Sequence, residues 1–175
     1  MIIRLREPTF HDTAVLVRLL NDPRVDRSHL SVPYPYTNYH AQSWIISSLE
    51  SKSDHTRLIC IGNDVVGQVS LKCDLNGDYY IGYWVGYDYS GIGVAKKSAS
   101  MMLKFGFDEI ELPLIYGGCA DDNIASSKVL KSIGMTDTER YYDCLMPYGK
   151  VKLRRYEMTI DAFYVYHTIF CNKGL

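Results

Sequence analysis

Polar and hydrophobic positions alternate through Ile2-Ile3-Arg4-Leu5-Arg6-Glu7, and that period of two predicts a first strand. From His11 the period lengthens. Ala14, Leu16, Val17, Leu19 and Leu20 fall at helical spacing, and Asn21-Asp22-Pro23 ends the helix. "SVPYPYTNYH" carries two closely spaced prolines and reads as a loop, with a second helix expected over residues 39–49. "RLICIGNDVVGQVSLK" is two apolar runs around Gly62-Asn63-Asp64, a hairpin signal, and Asn76-Gly77 supplies the next tight turn. "YYIGYWVG" is apolar on both faces, which predicts a strand in the middle of the sheet. A helix to Phe107, a strand in "LPLIYGGCA" and a helix in "NIASSKVLKSIG", stopped by Gly134, come next. "TERYYDCLM" and "KVKLRRYEMTI" form two strands around "PYG".

The predicted order is β-α-α-β-β-β-α-β-α-β-β, with no repeat, linker or low-complexity stretch. That order describes one α+β domain over residues 1–175, a central mixed and mostly antiparallel sheet flanked by helices. The tail over residues 161–175 is apolar beyond what a frayed end needs, so it is expected to pack on this subunit or on a second copy, as in a homodimer. A net charge of −1 gives no reason to expect a nucleic-acid or membrane partner. No apolar run approaches the ~18 residues of a membrane span, and "MIIRLREPTF" lacks the apolar core of a secretory signal. The 5 cysteines are scattered without a C-x-x-C, a pattern of reduced thiols in the cytoplasm, and the histidines have no ligand-like spacing, so no metal site is expected.

One stretch breaks the ordinary rules. "YSGIGVAKKSA", residues 89–99, places two glycines at the mouth of a helix whose first turn holds two lysines and no carboxylate. That end of a helix is positive and usually attracts Asp or Glu. A strand running through Ser90-Gly91-Ile92-Gly93 into Val94-Ala95-Lys96 aims backbone N–H groups at one point, an anion site whose usual occupant is phosphate. A P-loop would need Gly-Lys-Ser/Thr where Gly93-Val94-Ala95 stands. A dinucleotide fingerprint would want Gly or Ala at Lys96 and an alternating βαβ array.

"YWVGYDYSGIGVAKKSA" followed by "NIASSKVLKSIGM" closely resembles the GNAT superfamily of acyl-CoA-dependent N-acyltransferases, and within it the RimJ/RimL-type branch that acetylates ribosomal-protein N-termini. The family's pyrophosphate signature, (Gln/Arg)-x-x-G-x-(Gly/Ala), maps onto residues 90–95, with Ser90 where the family prefers Gln or Arg. Asn123, Ser126, Val129, Leu130 and Gly134 match the branch's second helix motif; Arg4-Leu5-Arg6, Asp12 and Asn21-Asp22-Pro23 match its opening.

The resemblance implies acetyl-CoA as cosubstrate, a primary amine as acceptor and direct attack in a ternary complex. It also implies that the strand over residues 79–86 splays from the strand over residues 112–119, so that pantetheine pairs with backbone near Trp84 and Val85. The Val85 N–H would then stabilise the oxyanion. A tyrosine often stands at Leu130 in GNAT enzymes and protonates the leaving thiolate; here Ser126 is expected to take that role. Asn123 would both cap its helix and touch the pantetheine arm. Tyr34 and Tyr36 would wall the amine pocket, and Tyr80 stands where the branch often has a glutamate, which leaves Asp78, Asp143 and Glu157 as candidate bases. Neutralising a lysine amine at pH 7 costs roughly 3 kcal/mol more than an α-amine, so a site without an obvious base favours α-amines. A small-molecule amine acetyltransferase (polyamine or aminoglycoside) and a CoA-binding sensor remain the alternatives. The cations Lys150, Lys152 and Arg154 share one strand face and are expected to be solvated.

Overall fold

A computed structural model describes residues 1–25, 32–146 and 149–170. Strand β1 (Ile3–Arg6) leads through a 3₁₀ turn to α1 (Thr13–Leu20), then α2 (Asn38–Glu50), β2 (His55–Ile61), β3 (Asp64–Cys73) and β4 (Tyr79–Val85). Helix α3 (Val94–Asp108), β5 (Leu114–Cys119), α4 (Ile124–Ser132), β6 (Thr136–Met146), β7 (Gly149–Thr159) and α5 (Ile160–Phe170) complete the chain. The predicted element order holds. What the pattern did not give is α5, which is the tail's fold.

The seven strands lie in the order β1-β2-β3-β4-β5-β7-β6, with β4 central as its apolar faces require. All neighbours are antiparallel except β4 and β5. Helices cover both faces. On one, Met102, Leu103 and Phe107 of α3 and Leu130 of α4 pack over Val69, Leu71, Ile81 and Ile115. On the other, Leu16, Leu19 and Leu20 of α1 and Ala41 and Ile45 of α2 pack over Leu58, Cys60 and Val65, with Trp84 at the margin.

The first helical segment is anchored by charge. Asp12 accepts two hydrogen bonds from the Arg6 guanidinium, at 2.8 and 2.6 Å, and two more from the Thr9 N–H and hydroxyl, at 2.8 and 2.9 Å. Helix α5 docks through Phe163, whose ring lies 4.8 Å from Phe107, and through the Tyr166 hydroxyl, which donates to Ser132 O at 2.7 Å. The tail therefore packs on its own subunit through Phe163 and Tyr166; residues 171–175, Cys171 among them, lie outside the described residues. Cys60, Cys73, Cys119 and Cys144 are free thiols.

On β7, Lys150 pairs with Asp143 at 2.8 Å, Arg154 with Asp137 at 2.7 Å, and Lys152 stands over the Tyr141 ring. The three cations share a face as alternation predicts, with Lys150 and Lys152 exposed as expected, and β6 adds a partner to each.

Candidate active site

Strand β4 ends at Val85, and a 3₁₀ turn over Tyr87–Tyr89 carries the chain into Ser90-Gly91-Ile92-Gly93. Gly91 and Gly93 adopt φ of +77° and +85°, left-handed values that disfavour any L side chain, and a Cβ on either would project into open space. Gly93 is the N-cap of α3. It offers no side chain, and the first turn holds no acid. The first intrahelical bond runs from Lys97 N–H to Gly93 O, which leaves the N–H groups of Val94, Ala95 and Lys96 ahead of it. This is a bare positive end, rimmed by the exposed Ile92 and Lys96 and by Ser90, whose hydroxyl turns back toward Gly86 O at 3.4 Å.

Beside that turn the sheet opens. Strands β4 and β5 pair only through Tyr79–Ile81 and Ile115–Gly117, while both run on. The Gly86 N–H donates to Val66 O at 2.8 Å, so by strand alternation Trp84 and Gly82 also direct their backbone groups to β3. Val85 and Tyr83 direct theirs the other way, into the space β5 has left. Of the two residues expected near pantetheine, Val85 thus offers its backbone to the gap, whereas Trp84 presents its backbone to β3 and packs its ring beside α1 and α2.

Helix α4 flanks the gap. Asn123 is its N-cap, with Oδ1 accepting from Ser126 N–H at 3.0 Å. The Ser126 hydroxyl does not bond back to its own helix; it lies 3.0 Å from the Tyr83 hydroxyl and shares a hydrogen bond with it. Burial pushes the Tyr83 phenol well above its ordinary pKa, only partly offset by Ser126, so Tyr83 stays protonated.

Behind the gap, on the face away from α3 and α4, lies an aromatic platform. Tyr80 stands opposite Tyr116, with ring centroids 5.3 Å apart, and Tyr142 is 5.7 Å from Tyr80. Tyr142 crosses Gly118, where an added Cβ would run into its hydroxyl. Arg155 stacks on Tyr116 with its guanidinium carbon 3.7 Å from the ring centroid. Glu157 pairs in register with Tyr116 and shares the face. Asp143 lies on the opposite face in its bond to Lys150, and Asp78 sits in the β3–β4 turn, its N–H held by Asp74. Glu157 is thus the expected base that the register brings to the platform.

Of the two tyrosines expected at the pocket wall, Tyr36 is buried beside Trp84 and Tyr34 is exposed. Tyr36 is 4% exposed in the α1–α2 core, with its phenol pushed up to about 12 by burial. Asn21 forces this: its side chain donates to Tyr36 O at 2.6 Å and accepts from Tyr36 N–H at 2.9 Å, clamping the backbone so that the ring turns inward. There it packs beside Trp84 and lines a small cavity with Leu16, Leu20, Val32 and Trp44. Tyr34 is exposed on the loop outside. Tyr83, Tyr116, Tyr142 and Arg155 went unmarked in the sequence, where the only signal was the surplus of tyrosine. Among the described residues no three His, Cys, Asp or Glu side chains gather as metal ligands, and no helix is long and apolar enough to cross a membrane.

A bare, glycine-turned helix end beside a split pair of parallel strands is the frame of an acyl-CoA-dependent transferase. The comparisons agree. The model of the acetyltransferase (GNAT) domain matches residues 3–136, and the chain belongs to that family. An uncharacterized N-acetyltransferase of Bacillus subtilis, YnaD, is 34% identical over 67 residues, which are 38% of this chain and 39% of that protein. Mycobacterium smegmatis RimJ, solved with CoA-disulfide, superposes with a TM-score of 0.80 at 17% identity, over 95% of this chain and 88% of its own. The aminoglycoside acetyltransferase AAC(6')-Ib, solved with coenzyme A, gives 0.77 at 17% identity, over 94% and 98%. At such identities the solved structures establish the fold.

Proposed function

We propose that this chain is a cytoplasmic, acetyl-CoA-dependent N-acetyltransferase of the RimJ/RimL type that acetylates primary amines, protein N-terminal α-amines before others. The observation that carries the reading is the bare N-terminus of α3 set directly beside the open edge of β4. When bound, acetyl-CoA supplies an acyl group activated as a thioester. The N–H groups of Val94, Ala95 and Lys96 hold the diphosphate, with Lys96 adding charge. The short Ser90 side chain adds little, so the grip is mostly main chain. The Val85 N–H donates to the oxygen that gains charge as the amine attacks. No covalent enzyme intermediate is required, and much of the rate comes from positioning. Ser126 donates its proton to the departing thiolate and recovers one from water, while the Tyr83 hydroxyl holds the Ser126 oxygen in place. Glu157 receives the amine proton through water.

Thiol release measured against peptides with varied N-termini, polyamines and aminoglycosides tests this. α-Amino peptides should turn over fastest. A lysine side chain, polyamine or aminoglycoside acetylated faster than any α-amine refutes the acceptor. Tight CoA binding with slow release for every amine would instead mark a sensor. Ser126→Ala should lower kcat about 100-fold with CoA affinity unchanged; full turnover in that variant removes Ser126 from the reaction.

A further inference from the structure

The platform carries a cation, Arg155, that forms no ion pair among the described residues. Of the other cations described on β7, Lys150 pairs with Asp143 and Arg154 with Asp137, while Lys152, like Arg155, lies over a tyrosine ring. Arg155 alone points to the opposite face. Its guanidinium has no hydrogen-bond or ion-pair partner among the described residues, and the Nε is buried without one. Stacking on Tyr116 fixes the plane of the guanidinium at the platform. Tyr142 holds its hydroxyl close by, above Gly118 and so beside the gap where the acyl group must arrive. A buried donor without a partner is costly to keep, and a ligand that brings an acceptor relieves that cost. A planar, pre-oriented fork of N–H donors matches a carboxylate, which it can bind through two parallel bonds.

We infer that Arg155 binds a carboxylate carried by the acceptor close to its reacting amine, so that the substrate class is an acidic amine rather than a polycation. This rests on the acyl-acceptor reading above. The carboxylate has two sources, an acidic residue at the acceptor's N-terminus or the α-carboxylate of a free amino acid. A polyamine would bring its second charge against Arg155.

The test compares matched acceptors by titration calorimetry on the CoA-loaded protein, alongside thiol release: Glu-Ala-Ala-amide against Gln-Ala-Ala-amide, and alanine against alaninamide. The peptide pair reads a side-chain carboxylate and the second pair an α-carboxylate. In at least one pair the carboxylate member should bind about tenfold tighter or better. Arg155→Gln should bring that ratio close to one, and Arg155→Lys, which keeps charge without the fork, should retain part of it. Equal binding within both pairs, no binding of any member, or discrimination that survives Arg155→Gln in a variant melting like the parent overturns the inference. If the preference holds in calorimetry but no acceptor releases thiol, the carboxylate site stands and the transferase reading falls. If transfer proceeds equally on acidic and neutral acceptors, the reverse is true.

Discussion

Replacing Gly93 by alanine separates the cost of a conformation from the loss of a ligand. Gly93 holds φ at +85° with no heavy atom within 4 Å of where a Cβ would sit, so nothing in the protein clashes. The only penalty in the free protein is the left-handed backbone, about 1–2 kcal/mol for an L residue. For a domain of this length that lowers Tm by about 2–8 °C. With the diphosphate placed as proposed, the new methyl projects into the space where that group approaches the N–H groups of Val94, Ala95 and Lys96. Weakening one charge-assisted hydrogen bond costs about 1.5–3 kcal/mol, which is about 10- to 100-fold in Kd. Gly93→Asn, which tolerates the left-handed region better, should recover part of the stability but none of the affinity. Thermal melting and titration calorimetry with CoA read the two quantities independently. A Gly93→Ala protein that melts lower yet binds CoA within twofold of the parent would refute the placement of the diphosphate at this turn.

Other outcomes follow from the same geometry. Gly118→Ala should push the Tyr142 ring aside, raising KM for the acceptor in steady-state assays while the KM for acetyl-CoA holds. Asp12→Ala should cost about 2 kcal/mol in urea unfolding, less than for a fully enclosed pair because Arg6 is partly exposed. Burial works to raise the Asp12 pKa, but the Arg6 and Thr9 hydrogen bonds outweigh it and hold the carboxylate below its ordinary range. Its contribution is therefore complete above the unfolded pKa near ~4 and fades as pH falls through the lower folded value, and the parent-minus-variant difference in unfolding free energy should shrink over that window. Phe163→Ala, at a side chain 2% exposed, should cost about 3–5 kcal/mol by the same measurement; a loss under 1 kcal/mol would mean that α5 is not part of the folded core.

The order of elements was legible because turns punctuate it strongly. Gly62 and Gly77 both take the positive φ their hairpins demand, and Gly134 does so after α4. Helix α5 was not legible as a helix, because "IDAFYVYHTIF" is apolar nearly all round and shows no single face. At the site, the missing acids after Gly93 marked the bare helix end by chemistry that survives in one dimension. The platform did not. Tyr142 reaches Gly118 only through the register of β6 on β7, which shifts between Asp137 and Tyr141, and no alternation pattern announces such a shift. The burial of Tyr36 was hidden for a similar reason: the clamp that turns its ring inward comes from Asn21, fifteen positions away.

The parting of β4 from β5 has a mechanical side. Four strands on one flank and three on the other are laced together by only three aligned residues, Tyr79–Ile81 against Ile115–Gly117. Beyond that short seam the halves face each other like the jaws of a clothes-peg. A slender guest threaded between them and bonded to the bare main chain of Val85 becomes a rung, so its arrival should slow amide exchange at the seam as well as at the residues it touches.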